Sequence, residues 1–384
     1  MKILLLAGEE SGMIYARGLR ARLSGHEVRG YADYGFETQD LAVFGFGAVL
    51  MRLPFFLRVK RTMERAIDEW RPDALCTIDY PGMNLKLAAY AKARGVRTVH
   101  VVCPQVWAWH QDRIPKIEAA LDGLCCFFPF EPALFKPGFA TFVGHPLAME
   151  FAQRRGESRR GPGKVRLVAM LPGSRRVEVS RILPVLLKAA EMVDGAEFVI
   201  PAANDGVREL VERLVARRRG RAAVRVQTGG ARELLREADC AAVASGTATL
   251  EAALTRCPTV LVYRVSAFLA AFARRVIKGT KYIGLANIVW ERCGGWGGDP
   301  PMPELLQEAF TPEAVAERLN LWLDDAAARE DAVARLDAAA SKLETAGDPL
   351  SRIVRIVEGE APAGRELPGE GPRAPLERKR SEML

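Results

Sequence analysis

No stretch of the chain is apolar for long enough to make a transmembrane helix, which needs about 20 residues. The run after Lys2 is only ILLLA before Gly8, too short for the apolar region of a signal peptide. The expectation is a soluble protein or one bound to a membrane surface. The seven cysteines include the adjacent pair Cys125 and Cys126 and form no C-x-x-C. An odd count without ligand spacing supports neither a disulfide framework nor a zinc site, and points to a reducing cytosol. Histidines number only four. His100 lies in an apolar run and His145 in VGHP, and without paired serine and carboxylate neither suggests a triad. The chain has no G-x-G-x-x-G after its first apolar run, where it reads AGEESG (7–12). That argues against a dinucleotide-binding oxidoreductase, and the missing P-loop signature argues against a P-loop NTPase. There is no D-x-D to carry a metal-bound sugar nucleotide. No metal and no cofactor are expected.

The 384 residues are too many for one core and fit two domains. The formal charge is +8, from 55 basic and 47 acidic side chains. That excess suits anionic partners without choosing among phosphorylated substrates, anionic lipid and nucleic acid. The Arg-rich run ARRRGR (216–221) lacks interleaved aromatics and reads as a solvated helix end, so no nucleic acid is expected.

Strand-like and helix-like segments alternate along most of the chain, which predicts parallel sheets with helices on both faces. Strands are expected at 2–7, 27–31, 74–79, 98–102, 123–128 and 141–144. Helices fit 12–23, 56–70, 83–94 and 113–120. A basic polar stretch, QRRGESRRGPGK (153–164), reads as a linker. The second half restarts with VRLVAM, EFVIPA, VRVQT, CAAVA and TVLVYR. The fold class is therefore α/β, with two Rossmann-like doubly wound domains facing across a cleft. Domains are expected at 1–155 and 165–325, followed by helices at 326–358. The Pro- and Gly-rich 361–384 reads as a disordered tail.

Two motifs in the second half form a pair: LPGSR (171–175) and SGTATLE (245–251). Each joins a short apolar run to a helical pattern through small residues. Such a turn aims backbone N–H groups at open space, where they hold phosphate. The pair suggests a diphosphate-bearing nucleotide at the carboxyl ends of parallel strands. Gly173, Ser174, Ser245, Gly246, Thr247 and Thr249 are the candidate phosphate contacts, and Arg175 would neutralise a leaving diphosphate. Glu251 lies one to two turns further on, where a carboxylate could accept from both ribose hydroxyls. Ser245 as a plain N-cap and Glu251 as a solvated helix residue is the bland alternative. Asp79 ends an apolar strand before Tyr80-Pro81-Gly82. It reads either as a partly desolvated general base or as a turn cap. Glu9 follows the first strand in the same way, and Asn287 follows GLA on the expected cleft side.

The segment FGFGAVLMRLPFFLRVKR (44–61) sets Phe44, Phe46, Leu50, Met51, Leu53, Phe55 and Phe56 among Arg52, Arg58, Lys60 and Arg61. That mixture fits an anionic membrane interface or an acyl-chain groove, and equally a core helix with a basic edge. Exposed apolar surface is also compatible with a homo-oligomer.

Taken together, AGEESG, LAVFGF (41–46), RPDALCTIDYPGMN (71–84), VVCPQVWAWHQDRIPKI (101–117), FPFEPALF (128–135), FVGHPL (142–147), LPGSR, ASGTATLEAAL (244–254), VYRVS (262–266) and PELLQE (303–308) resemble the lipid-A-disaccharide synthases. The resemblance runs from about 2 to about 320 and implies the glycosyltransferase B fold. It also implies an inverting transfer from UDP-2,3-diacylglucosamine to 2,3-diacylglucosamine 1-phosphate, giving a β-1,6-linked disaccharide and UDP. The partners it implies are that UDP-sugar donor, the acylated glucosamine phosphate acceptor and the cytoplasmic face of the inner membrane, bound peripherally. The aspartate of the family's I-D-x-P falls on Asp79, the implied base, and the glutamate after the first strand falls on Glu9. The LPGSR arginine falls on Arg175, the ribose glutamate on Glu251, and the asparagine after S-L-P on Asn287. Three segments depart from the family pattern. Met13 stands where it has aspartate, GYADYGFE (30–37) replaces a Gly-Gly-x-x-Met loop, and 288–302 is longer and richer in glycine. The rival readings are a UDP-N-acetylglucosamine 2-epimerase-like enzyme, another lipid-linked sugar transferase, and an inactive membrane-associated homologue.

Overall fold

The computed structural model describes residues 1–8, 10–37, 53–152, 165–218, 220–266, 270, 275, 279–294 and 299–360. The expected linker and tail therefore lie outside the described residues. The first half runs β1 (Lys2–Ala7), α1 (Glu10–Arg22), β2 (Glu27–Arg29), α2 (Leu53–Trp70), β3 (Ala74–Ile78), α3 (Pro81–Lys92), β4 (Arg97–Val101), α4 (Ile114–Ala120), β5 (Gly123–Cys126), β6 (Ala140–Phe142) and α5 (Pro146–Ala152). These strands form one parallel sheet in the order β2-β1-β3-β4-β5-β6. Every residue of β3 is buried, as expected of a strand covered by helices on both faces. The helix expected at 56–70 begins at Leu53, because Pro54 falls in its first turn, where no backbone N–H is needed.

The second half runs β7 (Arg166–Leu171), α6 (Arg176–Ala190), β8 (Ala196–Ala202), α7 (Asp205–Arg217), β9 (Ala223–Thr228), α8 (Ala231–Glu237), β10 (Cys240–Ala244), α9 (Thr247–Leu254), β11 (Thr259–Tyr263), α10 (Leu285–Arg292), β12 (Glu304–Leu306), α11 (Pro312–Asp324), α12 (Ala326–Ser341) and α13 (Pro349–Glu358). Its parallel sheet has the order β9-β8-β7-β10-β11-β12. In each sheet the order reverses beside the first strand, between β1 and β3 and between β7 and β10. Helices on the two sides of that point go to opposite faces, so a crevice opens at the carboxyl ends of the strands. Ala7 pairs with Ile78 there, and Leu171 with Val243.

The last two helices part company. Ala332 and Leu336 of α12 pack in the core of the second sheet. Ile353, Val354, Ile356 and Val357 of α13 pack against Ile3, Leu5, Cys76, Val99 and Val101 of the first. Asp348 caps α13 by accepting from the Ser351 N–H at 2.9 Å, with Pro349 in the first turn. Arg97 donates to the Ile356 carbonyl at 2.9 Å, and Arg22 pairs with Asp348 at 2.7 Å. The chain thus returns to its starting sheet. Leu147 and Ala148 of α5 make a second seam with Leu250, Leu254, Val289 and Leu343.

Ile353 is fully buried in this contact. Ile353→Ala should destabilise the protein by about 2–5 kcal/mol through lost burial and a cavity. A urea midpoint unchanged from wild type would show that α13 is not docked.

Candidate active site

Three loops lie at the carboxyl ends of strands. After β3 the chain turns through Asp79 and Tyr80, with φ of 51° and 50°. Two consecutive non-glycine residues in the left-handed region are uncommon and strained. The Asp79 N–H donates to the Val101 carbonyl at 2.9 Å, and the Tyr80 N–H donates to Asp79 Oδ1 at 2.8 Å. Burial raises the Asp79 carboxyl above its ordinary pKa, partly offset by that Tyr80 N–H.

The second sheet supplies the other two loops at the ends of neighbouring strands. Gly173 has φ 109° and Gly246 φ 153°, conformations that favour glycine; Gly173 stands three residues before α6 and Gly246 immediately before α9. Ser174, Gly246 and Thr247 are exposed, and Ser245 is half-buried. The Arg175 guanidinium is exposed and pairs with Glu178 at 3.2 Å, while the Arg175 N–H donates to the same carboxylate. Glu251 is partly buried and accepts from Arg232 Nε at 2.8 Å. Arg232 also faces Glu150 of α5 at 3.9 Å.

Tyr15 of α1 ties the halves electrostatically. Its phenol is pushed up to about 12, chiefly by burial, lowered by Arg232 and raised by both Asp79 and Glu251. Asp79 from the first sheet and Glu251 from the second therefore act on one side chain. Tyr15, Arg232 and Glu178 escape a motif-based reading. The Gly229-Gly230 turn ahead of α8 is the only local signal for Arg232.

Three sequence expectations are revised by where the side chains lie. Thr249 is fully buried and its hydroxyl donates to the Gly246 carbonyl at 2.8 Å, so it braces the turn rather than facing the crevice. Asn287 is fully buried as well. Its amide donates to Met302 O and Glu304 Oε1, each at 2.8 Å, and its Oδ1 accepts from the Met302 N–H at 2.9 Å. A buried amide needs those partners, and so it stitches 302–304 to α10. Phe56 is a core residue, and Phe55 is half-buried against Phe36 and Phe56. Leu53 and Leu57 remain 48% and 45% exposed, beside exposed Arg58 and Arg61; Lys60 pairs with Glu64. Glu9, Phe44, Phe46, Leu50, Met51 and Arg52 lie outside the described residues.

The family model described as Lipid-A-disaccharide synthetase matches residues 3–348, spanning both sheets. The chain belongs to that family. It is 37% identical over 347 residues to the lipid-A-disaccharide synthase of Sodalis glossinidius, covering 84% of this chain and 88% of that protein. With the Chromohalobacter salexigens protein of the same name it shares 36% over 393 residues, covering 94% and 99%. Among solved structures, a UDP-GlcNAc 2-epimerase from Neisseria meningitidis bound to UDP-GlcNAc matches with a TM-score of 0.59 at 10% identity, covering 94% of this chain and all of that one. Acinetobacter baumannii MurG matches at 0.57 and 14%, with the same coverage. At such identities the likeness shows the fold, that of the B-type glycosyltransferases. Among the described residues no helix is long and apolar enough to cross a membrane.

In this lipid-A-disaccharide synthetase family chain, the loop after β4 joins the two halves. Trp107 and Ala108 pack against Ile288 of α10, and Arg292 donates to the Trp107 carbonyl at 3.1 Å. Glu131 anchors the loop from beneath, accepting from Trp107 Nε1 at 3.2 Å and the Phe128 N–H at 3.1 Å. Burial pushes Glu131 up to about 8 against those donors. Cys103, Cys126 and Glu131 are the one group of three metal-type donors among the described residues. The Glu131 carboxylate is already committed to Trp107 and Phe128. His145 Nδ1 accepts the Leu147 N–H at 3.2 Å, and burial drives its pKa down to about 4, so it stays neutral and structural. None of the seven cysteines is in a disulfide.

Glu131→Ala should cost on the order of 3 kcal/mol, since it strands two buried donors at about 1–3 kcal/mol each. Unfolding at the wild-type urea concentration would refute the anchoring role.

Proposed function

We infer that this chain is a lipid-A-disaccharide synthase, joining UDP-2,3-diacylglucosamine to 2,3-diacylglucosamine 1-phosphate in lipid A biosynthesis. The observations that support the chemistry are the desolvated Asp79 carboxyl at a strand end of the first sheet and the paired glycine turns and helix N-termini at strand ends of the second. Family membership over both sheets carries the choice of reaction, and disfavours an epimerase or an inactive homologue.

In this reading Asp79 accepts the proton of the acceptor's 6-hydroxyl as that oxygen bonds to C1 of the donor sugar. The bond from C1 to the diphosphate breaks on the opposite side, which inverts the anomeric centre. The transition state is oxocarbenium-like, as in glycoside hydrolysis. The negative charge gathering on UDP meets the N-termini of α6 and α9, with Gly173, Ser174, Ser245, Gly246 and Thr247 in contact and Arg175 as the cation. Glu251, which accepts from Arg232 through Oε1, takes the ribose hydroxyls. Glu9, the next residue but one after β1 in the sequence, is proposed as the second catalytic carboxylate. Thr249 and Asn287 support these loops from beneath.

The purified protein given both substrates should release UDP and disaccharide. Asp79→Asn should lower kcat by roughly 100- to 10,000-fold, the range for a general base. The base works only when ionised, so kcat should rise with pH through a midpoint above the ordinary carboxylate value of about 4. Because the folded carboxyl is raised by burial, ionising it weakens the fold, and Asp79→Asn should keep or raise the melting temperature at neutral pH. Equal turnover by the two proteins would remove Asp79 from the base role.

The exposed Leu53 and Leu57 beside Arg58 and Arg61 support peripheral binding at the cytoplasmic face of the inner membrane. Phe44, Phe46, Leu50, Met51 and Arg52 are proposed from the sequence as further membrane or acyl contacts. The protein should sediment with vesicles containing anionic phosphatidylglycerol and less with neutral ones, and Leu53→Ser with Leu57→Ser should weaken binding. Equal sedimentation of the double variant would exclude this face.

A further inference from the structure

We propose that Asn84, steered by Tyr31, is the positioning residue that holds Asp79 in its working conformation; the inference rests on Asp79 being the base. Asn84 lies in the first turn of α3 and is fully buried. Its side chain points back toward the helix N-terminus, as helical side chains do. Its amide Nδ2 donates to the Ile78 carbonyl at 3.2 Å and to the Asp79 carbonyl at 2.7 Å. Both amide hydrogens are thereby committed to the two carbonyls that flank the Asp79 Cα.

Those carbonyls sit where the chain leaves the sheet ladder for two left-handed residues. Each such residue costs about 1–3 kcal/mol and persists only where its surroundings over-determine it. Asn84 supplies part of that constraint. Gly8 supplies another part from the neighbouring strand. A Cβ built on it would stand 2.7 Å from Tyr80 Cγ and Cδ1, so the Tyr80 ring lies directly on the glycine backbone. Asp79 is thus pinned through its own carbonyl and through the next residue.

Asn84 is itself oriented. Its Oδ1 accepts from the Tyr31 hydroxyl at 3.1 Å, which leaves Nδ2 the only atom able to face the two carbonyls. Tyr31 is buried in the short 3-10 turn Tyr31–Tyr34, and burial raises its pKa, so it remains a donor at working pH. That turn belongs to GYADYGFE (30–37), between β2 and α2. That segment and the Asp79 loop are therefore joined by two hydrogen bonds.

Without Asn84 the Asp79 peptide is free to relax out of the left-handed region, carrying the carboxylate toward solvent. A misplacement of about 1 Å at a reacting group can cost roughly 100-fold in rate. The test compares wild type, Asp79→Asn, Asn84→Ala and Tyr31→Phe in kcat, pH profile and calorimetric UDP affinity. Asn84→Ala should lose about 100-fold in kcat at unchanged UDP affinity, with the acid limb moved down toward the ordinary carboxylate range. Tyr31→Phe should change both in the same direction by less. A merely structural asparagine would lower the melting temperature and leave the limb where it is. Inactive Asp79→Asn with an active Asn84→Ala and an unmoved limb would overturn the proposal. An active Asp79→Asn would instead overturn the base assignment. Should Asn84→Ala fail to bind UDP, Tyr31→Phe decides, and wild-type kcat with an unmoved limb overturns the proposal.

Discussion

Parallel strand pairing is the constraint from which the rest of this structure follows. Parallel neighbours cannot be joined by a tight turn, so each strand returns through a crossover, usually a helix. All the strand-to-helix loops then collect on one edge. Where the strand order reverses, beside β1 and beside β7, adjacent loops diverge to opposite faces and leave an opening. Asp79 follows one strand at such a point, and LPGSR and SGTATLE follow both strands at the other. Their chemistry is a matter of side chains, but their place at the strand ends is a matter of topology.

Buried polar groups then set the loops in place. Asn84 holds the Ile78 and Asp79 carbonyls, Glu131 holds Trp107, and Asn287 holds Met302 and Glu304. In each case a group that could not be buried alone is fully paired, and the pairing fixes a loop between elements distant in sequence. Two of these tethers lie beside the contact between the halves, where Trp107 meets Ile288 and Arg292. The return of α13 to the first sheet closes the same frame from outside.

The electrostatics are local rather than general. The net charge of +8 says only that an anion is welcome. In the second half, Arg232 is drawn to Glu251 and to Glu150 of α5, and Arg175 to Glu178, while in the first half burial raises the Asp79 pKa. Cations already paired with carboxylates can exchange them for phosphate, whereas a desolvated carboxylate is suited to take a proton. The division of labour across the opening follows from which loop carries which partner.

Much of this was written locally in the chain. The apolar runs, small-residue turns and helical periods specify two parallel α/β halves, and LPGSR, SGTATLE and I-D-Y-P mark the strand ends, because strand–turn–helix chemistry is encoded within a few residues. Sequence spacing could not say that Thr249 and Asn287 turn inward, that Phe56 belongs to the core, or that Arg232 pairs with Glu251. It could not show Tyr31 reaching Asn84, 53 residues away, to steer the Asp79 loop. Those facts depend on which polar atoms find partners once helices and sheets have packed, and only the tertiary structure decides that. The sequence determined the strands, the turns and the chemical groups at their ends; the packing decided which of those groups face one another.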